Sequence, residues 1–154
     1  MLGFLRKKKE EKGGTMLYMS EPTILYNTRT EKTCVEILEK HFSPGRILVP
    51  SKYGLRPTEH FIDESDIFVA IAIAGKLTSG VVREIQRAEG LRKRIYTLEI
   101  ARKGEELEYA IVEGVPEELE RLTPEQTTEF YDEFRAEEFT KPGDLFFGNR
   151  RRIW

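Results

Sequence analysis

The run IFVAIAIA, Ile67 to Ala74, is apolar at every position. Eight such residues are too few and too uniformly apolar for an amphipathic helix, and they read as a strand buried on both faces. Strands of that kind occur where helices cover both sides of a parallel sheet. This one stretch predicts an α/β fold.

The flanking segments extend the pattern. TILYN, Thr23 to Asn27, reads as a first strand. Thr28 can cap the helix that follows, with Glu31 reaching back to close a capping box. That helix carries Cys34, Val35, Leu38 and Phe42 on one side and stops before Pro44-Gly45. RILVPS, Arg46 to Ser51, is a strand closed by proline, and residues 52–63 are irregular or briefly helical. GKLTSGVVREIQRAEG, Gly75 to Gly90, is a loop and a helix. RIYTLEIA and LEYAIVEG, split by a turn at 102–105, form a hairpin signal. Thr123-Pro124-Glu125-Gln126 is a second capping box and starts a helix to about Phe139, with Phe130, Tyr131 and Phe134 on one face. The order predicts a Rossmann-like (flavodoxin-like) three-layer sheet, mostly parallel, with an antiparallel edge hairpin and a C-terminal helix. Residues 16–154 form one domain in this reading. Residues 1–15 form a disordered leader, and Met16 is an alternative start.

Charge and residue usage narrow the function classes. Lys and Arg number 25 against 27 Asp and Glu, so the net charge is −2. This disfavours a nucleic-acid coat or a polybasic membrane binder, although Arg150, Arg151 and Arg152 make a local basic patch. No apolar run is long enough to cross a bilayer, and the N-terminal stretch lacks the marks of a secretory signal. Cys34 is the only cysteine, which precludes an intramolecular disulfide and favours a cytoplasmic setting. His41 and His60 are the only histidines, so a zinc site or a Ser-His-Asp triad is disfavoured. No metal or cofactor is expected. The four amides, Asn27, Gln86, Gln126 and Asn149, amid dense charge lean towards a thermophilic source. The tail DLFFGNRRRIW is too aromatic to be left in water and is expected to pack on the domain or on a second subunit.

Ligands of open α/β sheets bind beyond the carboxyl ends of the strands. Tyr26-Asn27-Thr28, Pro50 to Tyr53 and Gly75 to Gly80 are the segments placed there. The last is a glycine-containing turn at a helix N-terminus, a setting that suits an anion. On that helix Val81, Ile85, Ala88 and Leu91 form the apolar stripe, and Glu84 falls about 45° from its centre. No Ser or Thr stands three positions before Glu84, so a capping box does not explain it. Two readings stay open on geometry. Glu84 is either an edge charge favoured by the helix dipole or paired with Arg83, Arg87 or Lys76, or a carboxylate aimed into the crevice.

The segment SDIFVAIAIAGKLTSGVVREIQRAEGLRKRIYTL resembles the central part of the nucleoside 2-deoxyribosyltransferase-like superfamily. Members carry an acidic residue, an apolar strand, a loop, then S-G-T-x-x-E-I-G-x-A. Asp66, Ser79, Gly80, Glu84, Ile85 and Ala88 match position by position. Phosphoribohydrolases that release cytokinin-type bases share the shorter G-T-x-x-E core. The resemblance covers about a third of the chain. It implies that Glu84 attacks the anomeric carbon of a nucleoside or nucleotide, with Ser79 and Gly80 holding a 5′ hydroxyl or phosphate. It also implies substrate-binding positions for Tyr26, Asn27 and Asp66. Tyr26 and Asn27 are equally explained as strand-end and turn residues. Val81 departs from the pattern's threonine, Thr78 from a frequent aspartate, and Gln86 and Arg87 from small residues. The transferases complete their site with a segment of a neighbouring subunit, for which Gly148-Asn149-Arg150 is the candidate here. The readings carried forward are an N-glycosidic-bond hydrolase or deoxyribosyltransferase, a nucleotide-sensing module without catalysis, and an interaction protein acting through its tail.

Overall fold

The computed structural model describes residues 14–54, 57–103 and 106–138. The turn residues 104 and 105, the aromatic and basic tail and nearly all of the leader lie outside them, as does the Gly148-Asn149-Arg150 candidate.

The chain forms the expected α/β fold. The strands are β1 (Met16–Ser20), β2 (Arg46–Leu48), β3 (Ile67–Ile73), β4 (Lys76–Leu77), β5 (Arg94–Lys103), β6 (Glu106–Glu113) and β7 (Glu120–Arg121). The helices are α1 (Arg29–Phe42), α2 (Glu59–Glu64), α3 (Ser79–Gly90) and α4 (Pro124–Glu138). The main sheet runs β2-β1-β3-β5-β6. Its first four strands are parallel, and β6 returns antiparallel as the edge hairpin. All seven residues of β3 are buried, as the unbroken apolar run requires. Ile67, Val69, Ile71 and Ile73 face one helical layer with Cys34 and Leu38 of α1 and Phe130 of α4. Phe68, Ala70 and Ala72 face the other with Ile62 of α2 and Val81, Ile85 and Ala88 of α3. The two alanines leave room for α3 to lie close to the sheet.

Three expectations change. The first strand is MLYMS, and TILYN is instead a 3₁₀ turn over Thr23–Leu25 followed by Asn27 at a φ of 63°. Pro22 has no N–H to give a ladder and accepts from Leu25 N at 3.0 Å, so the chain turns where a strand was expected. The Gly75–Gly80 segment is not a phosphate-cradling loop along its length. Ala74 and Gly75, with φ of 53° and 77°, form a tight turn that lays Lys76 beside Ile73. Two positive φ angles in succession suit a two-residue hairpin. The resulting β4 is then bound by β7, whose Glu120 N donates to Gly75 O at 2.9 Å. The α3 stripe is also one residue shorter than expected, because the helix ends at Gly90 and leaves Leu91 exposed.

Both capping boxes form. Thr28 Oγ1 accepts from Glu31 N at 3.1 Å, while Glu31 Oε1 accepts from Asn27 N at 3.0 Å, one residue further back than in the usual box. Thr123 and Gln126 exchange bonds of 2.9 and 3.1 Å. No helix among the described residues is long and apolar enough to cross a membrane.

Candidate active site

The chain leaves β1 towards β2 on one side and returns through β3 on the other, so the sheet order reverses between β1 and β3. Such switch points open a crevice at the carboxyl ends of the strands. A cavity of about 500 Å³ lies there, within the range of small-molecule sites. Glu21, Tyr26, Thr58, Gly80, Arg83 and Glu84 are among its lining residues.

Glu84 reaches from α3 across to β1. Its Oε1 accepts from Ser20 Oγ at 2.7 Å, and its Oε2 accepts from Tyr18 OH at 3.0 Å. Thr58 Oγ1 lies 3.3 Å from the same Oε2 and 2.9 Å from Tyr18 OH. Tyr18 and Thr58 carry one hydroxyl proton each, and each hydroxyl lies within hydrogen-bonding distance of Glu84 Oε2. Three hydroxyls thus fix the carboxyl group without neutralising it. Burial raises the Glu84 pKa above the usual carboxylate range, even though hydrogen bonds from Ser20, Tyr18 and Thr58 and the charge of Arg83 act to lower it. The Tyr18 hydroxyl is pushed up by its own burial and then by Glu84, so it stays a donor.

Two of the three cations expected to pair with Glu84 pair elsewhere, while Arg83 lines the same cavity and acts on Glu84 through its charge. Arg87 is bidentate to Asp63 at 2.8 and 2.7 Å, and Lys76 Nζ pairs with Glu120 at 2.7 Å. Among the described residues Glu84 has no salt bridge.

A second acidic centre adjoins it. Glu21 directly follows Ser20 at the end of β1, is 6% exposed, and has no hydrogen-bond partner on either carboxyl oxygen among the described residues. Glu31 is 7% exposed, and its Oε2 is unpartnered while its Oε1 is held by the Asn27 amide. Burial, and then the neighbouring Glu31 and Glu84, push the Glu21 pKa to about 10, so it carries a proton at neutral pH. Burial and the same acidic groups raise Tyr26 to about 12.

The sequence-derived candidates divide. Tyr26, Gly80 and Glu84 come together on the cavity wall. Ser79 and Asn27 do not line it: the Ser79 amide donates to Thr127 Oγ1 of α4 at 2.9 Å, and Asn27 is an exposed turn residue whose amide serves Glu31. Asp66 precedes β3 and so sits at the amino end of the sheet, away from the crevice. There its Oδ2 accepts from Met16 N at 2.8 Å, which ties β1 to β3. Val81 is 1% exposed and packs among core residues, so a hydroxyl there would face the core and add nothing to the cavity. Sequence reasoning missed Tyr18, Ser20, Glu21 and Thr58. Ser20 and Glu21 follow from the crevice rule once MLYMS is taken as the strand; Tyr18, in the middle of that strand, and Thr58 carry no such signal. No cluster of three or more His, Cys, Asp or Glu suited to a metal ion occurs among the described residues.

Comparison with protein-family models, with curated proteins and with solved structures returns no significant match. The functional reading therefore rests on the geometry and on the residue pattern.

Gly80 provides a local check on the cavity. A Cβ there would meet nothing nearer than Arg83 Nη2 at 4.0 Å. Gly80→Ala is expected to leave the melting temperature within about 2 °C of wild type, since the added Cβ faces open space on the cavity side. It should weaken binding of any ligand that enters beside Glu84, as isothermal titration would show.

Proposed function

We propose that the crevice binds a nucleoside or nucleotide and that Glu84 cleaves its N-glycosidic bond. The observation that carries this reading is a carboxyl group on the cavity wall, oriented by three hydroxyls and without a salt bridge among the described residues. An oxocarbenium-like centre developing at the anomeric carbon would meet a carboxylate held in place by hydrogen bonds. Attack by a Glu84 oxygen at C1′ breaks the C1′–N bond, and the electron pair leaves with the base. The glycosyl ester on Glu84 is then opened by water, which gives hydrolysis, or by a second base, which gives transfer. Gly80 leaves space at the helix N-terminus, and Arg83 offers a cation for a 5′ phosphate. The resemblance of Ser79 to Ala88 to the deoxyribosyltransferase-like pattern supports the same chemistry. A cytoplasmic protein, with Cys34 buried as a thiol, fits a substrate of that class.

Incubation with nucleosides, 2′-deoxynucleosides, their 5′-monophosphates and NAD, followed by chromatography, tests the reading. Free base should appear with at least one of them. Thermal stabilisation by a nucleotide without base release would instead support a sensing module.

Tyr18→Phe separates positioning from attack. It removes one of the hydroxyls that favour the ionised Glu84, so the Glu84 pKa should rise further. Base release should fall by about 10- to 100-fold, and its acid limb should move to higher pH. An unchanged acid limb would mean that Tyr18 does not act on Glu84.

A further inference from the structure

Two of the three carboxyl groups gathered behind the cavity wall have no part in fixing Glu84. Glu21 and Glu31 are both more than nine-tenths buried, and three of their four oxygens have no partner among the described residues. Buried polar atoms are rarely left so, and two adjacent buried carboxylates do not both ionise. After burial itself, Glu31 is the neighbour that acts most strongly on Glu21, so one proton held by Glu21 relieves the pair. Among the described residues, the titratable groups coupled to Glu21 are Glu31 and Cys34 from α1, Glu84 from α3 and Tyr26 from the turn after β1. None of these is a cation.

Position gives the pair a use. Glu21 lines the cavity and is bonded in sequence to Ser20, whose hydroxyl holds Glu84. Glu31 is behind it, clamped by the Asn27 amide at the start of α1. We propose that Glu21, positioned by Glu31, is the general acid that protonates the departing base. This rests on the reading of Glu84 as the nucleophile. As Glu84 bonds to C1′, the electron pair of the C1′–N bond moves to the base, and the Glu21 proton moves to a base nitrogen. Glu21 is left as a carboxylate. In hydrolysis a water then attacks C1′, Glu21 takes a proton from it, and Glu84 is released as a carboxylate. Glu31 is a positioning residue, since it touches Glu21 and not the substrate.

A leaving group that departs neutral without protonation separates this role from attack by Glu84. Adenosine needs a proton on its base, whereas the nicotinamide of nicotinamide riboside leaves as a neutral molecule. Glu21→Gln should lower kcat/KM for adenosine by about 10²- to 10⁴-fold and change kcat/KM for nicotinamide riboside by less than about threefold, because kcat/KM reads only the steps up to departure of the base and not the later attack of water. Retained nicotinamide release also shows that the variant is folded. On the wild type, kcat/KM for adenosine should decline along an alkaline limb that is missing for nicotinamide riboside. Glu31→Gln removes a negative neighbour, so it should move that limb to lower pH. Equal effects of Glu21→Gln on both substrates, or an alkaline limb shared by both in the wild type, would overturn the acid role while Glu84→Gln still abolished both reactions. Absence of base release by the wild type from every nucleoside, nucleotide and dinucleotide of the panel above would overturn the reading of Glu84 and this proposal with it.

Discussion

Glu84→Gln is expected to reduce base release by at least about 10³-fold, with the protein still folded and still binding substrate. The amide keeps the size of the side chain and can accept hydrogen bonds through its oxygen, but it does not form a stable ester with C1′. Effects of that size are typical when the group that forms the covalent intermediate is removed. KM should change far less than kcat, because Gly80, Arg83 and Tyr26 supply binding surface that the substitution leaves in place. A loss confined to KM would assign Glu84 to binding. The stability of this variant is informative too. Burial already disfavours the charged form of Glu84, so replacing it with a neutral group should leave the melting temperature unchanged or raise it. A fold that gains stability on losing a carboxylate has kept that carboxylate for something other than stability.

Glu21 should produce the largest effect of pH on the fold. Its proton is held in the folded chain up to about pH 10, against an ordinary value of 4.5. Above pH 4.5 the unfolded chain releases this proton while the folded chain keeps it, so the folded state binds more protons. The free energy of unfolding then falls as pH rises. The contribution of the neutral carboxyl is fully present below pH 4.5 and is lost progressively as pH climbs towards 10. Each pKa unit corresponds to about 1.4 kcal/mol, and relaxation of a buried site leaves a fraction of the full difference. Glu21→Gln is expected to stabilise the chain at pH 8 by about 1–3 kcal/mol. For a chain of this size that is a rise of about 2–4 °C in melting temperature per kcal/mol. At pH 4.5 the gain should shrink towards zero. Melting curves of both proteins across that range check the slope; a constant difference at every pH would show that Glu21 is ionised in the fold.

The parts of this molecule that sequence made legible are those where one physical demand outweighs the others. The Ile67–Ile73 run admits only a strand covered on both faces, and the Thr28 and Thr123 boxes form the caps their spacing calls for. Glu84 stood out because a carboxylate beside an apolar stripe has few structural explanations. The first strand was hidden because MLYMS shows no alternation and abuts a polar leader, while β-prone TILYN lay nearby. That displacement moved the crevice residues by one segment, so Asn27 was taken in and Ser20 and Glu21 were left out. Asp66 could have been set aside on topology alone, since a residue that precedes a parallel strand lies at the end opposite the ligand crevice. Thr58 and the Glu21–Glu31 contact come from chain returns that no local pattern encodes.

The central claim is that Glu84 forms a bond to the sugar, and trapping that bond tests it most directly. A 2-deoxy-2-fluoro nucleoside slows both formation and breakdown of a glycosyl ester, because fluorine disfavours the oxocarbenium-like transition state. Intact mass spectrometry after incubation should show the mass of one fluorosugar added to the chain. Peptide mapping should place it on Glu84, and Glu84→Gln should take up none. Base release by the wild type with no adduct, or an adduct on any other residue, would contradict the account.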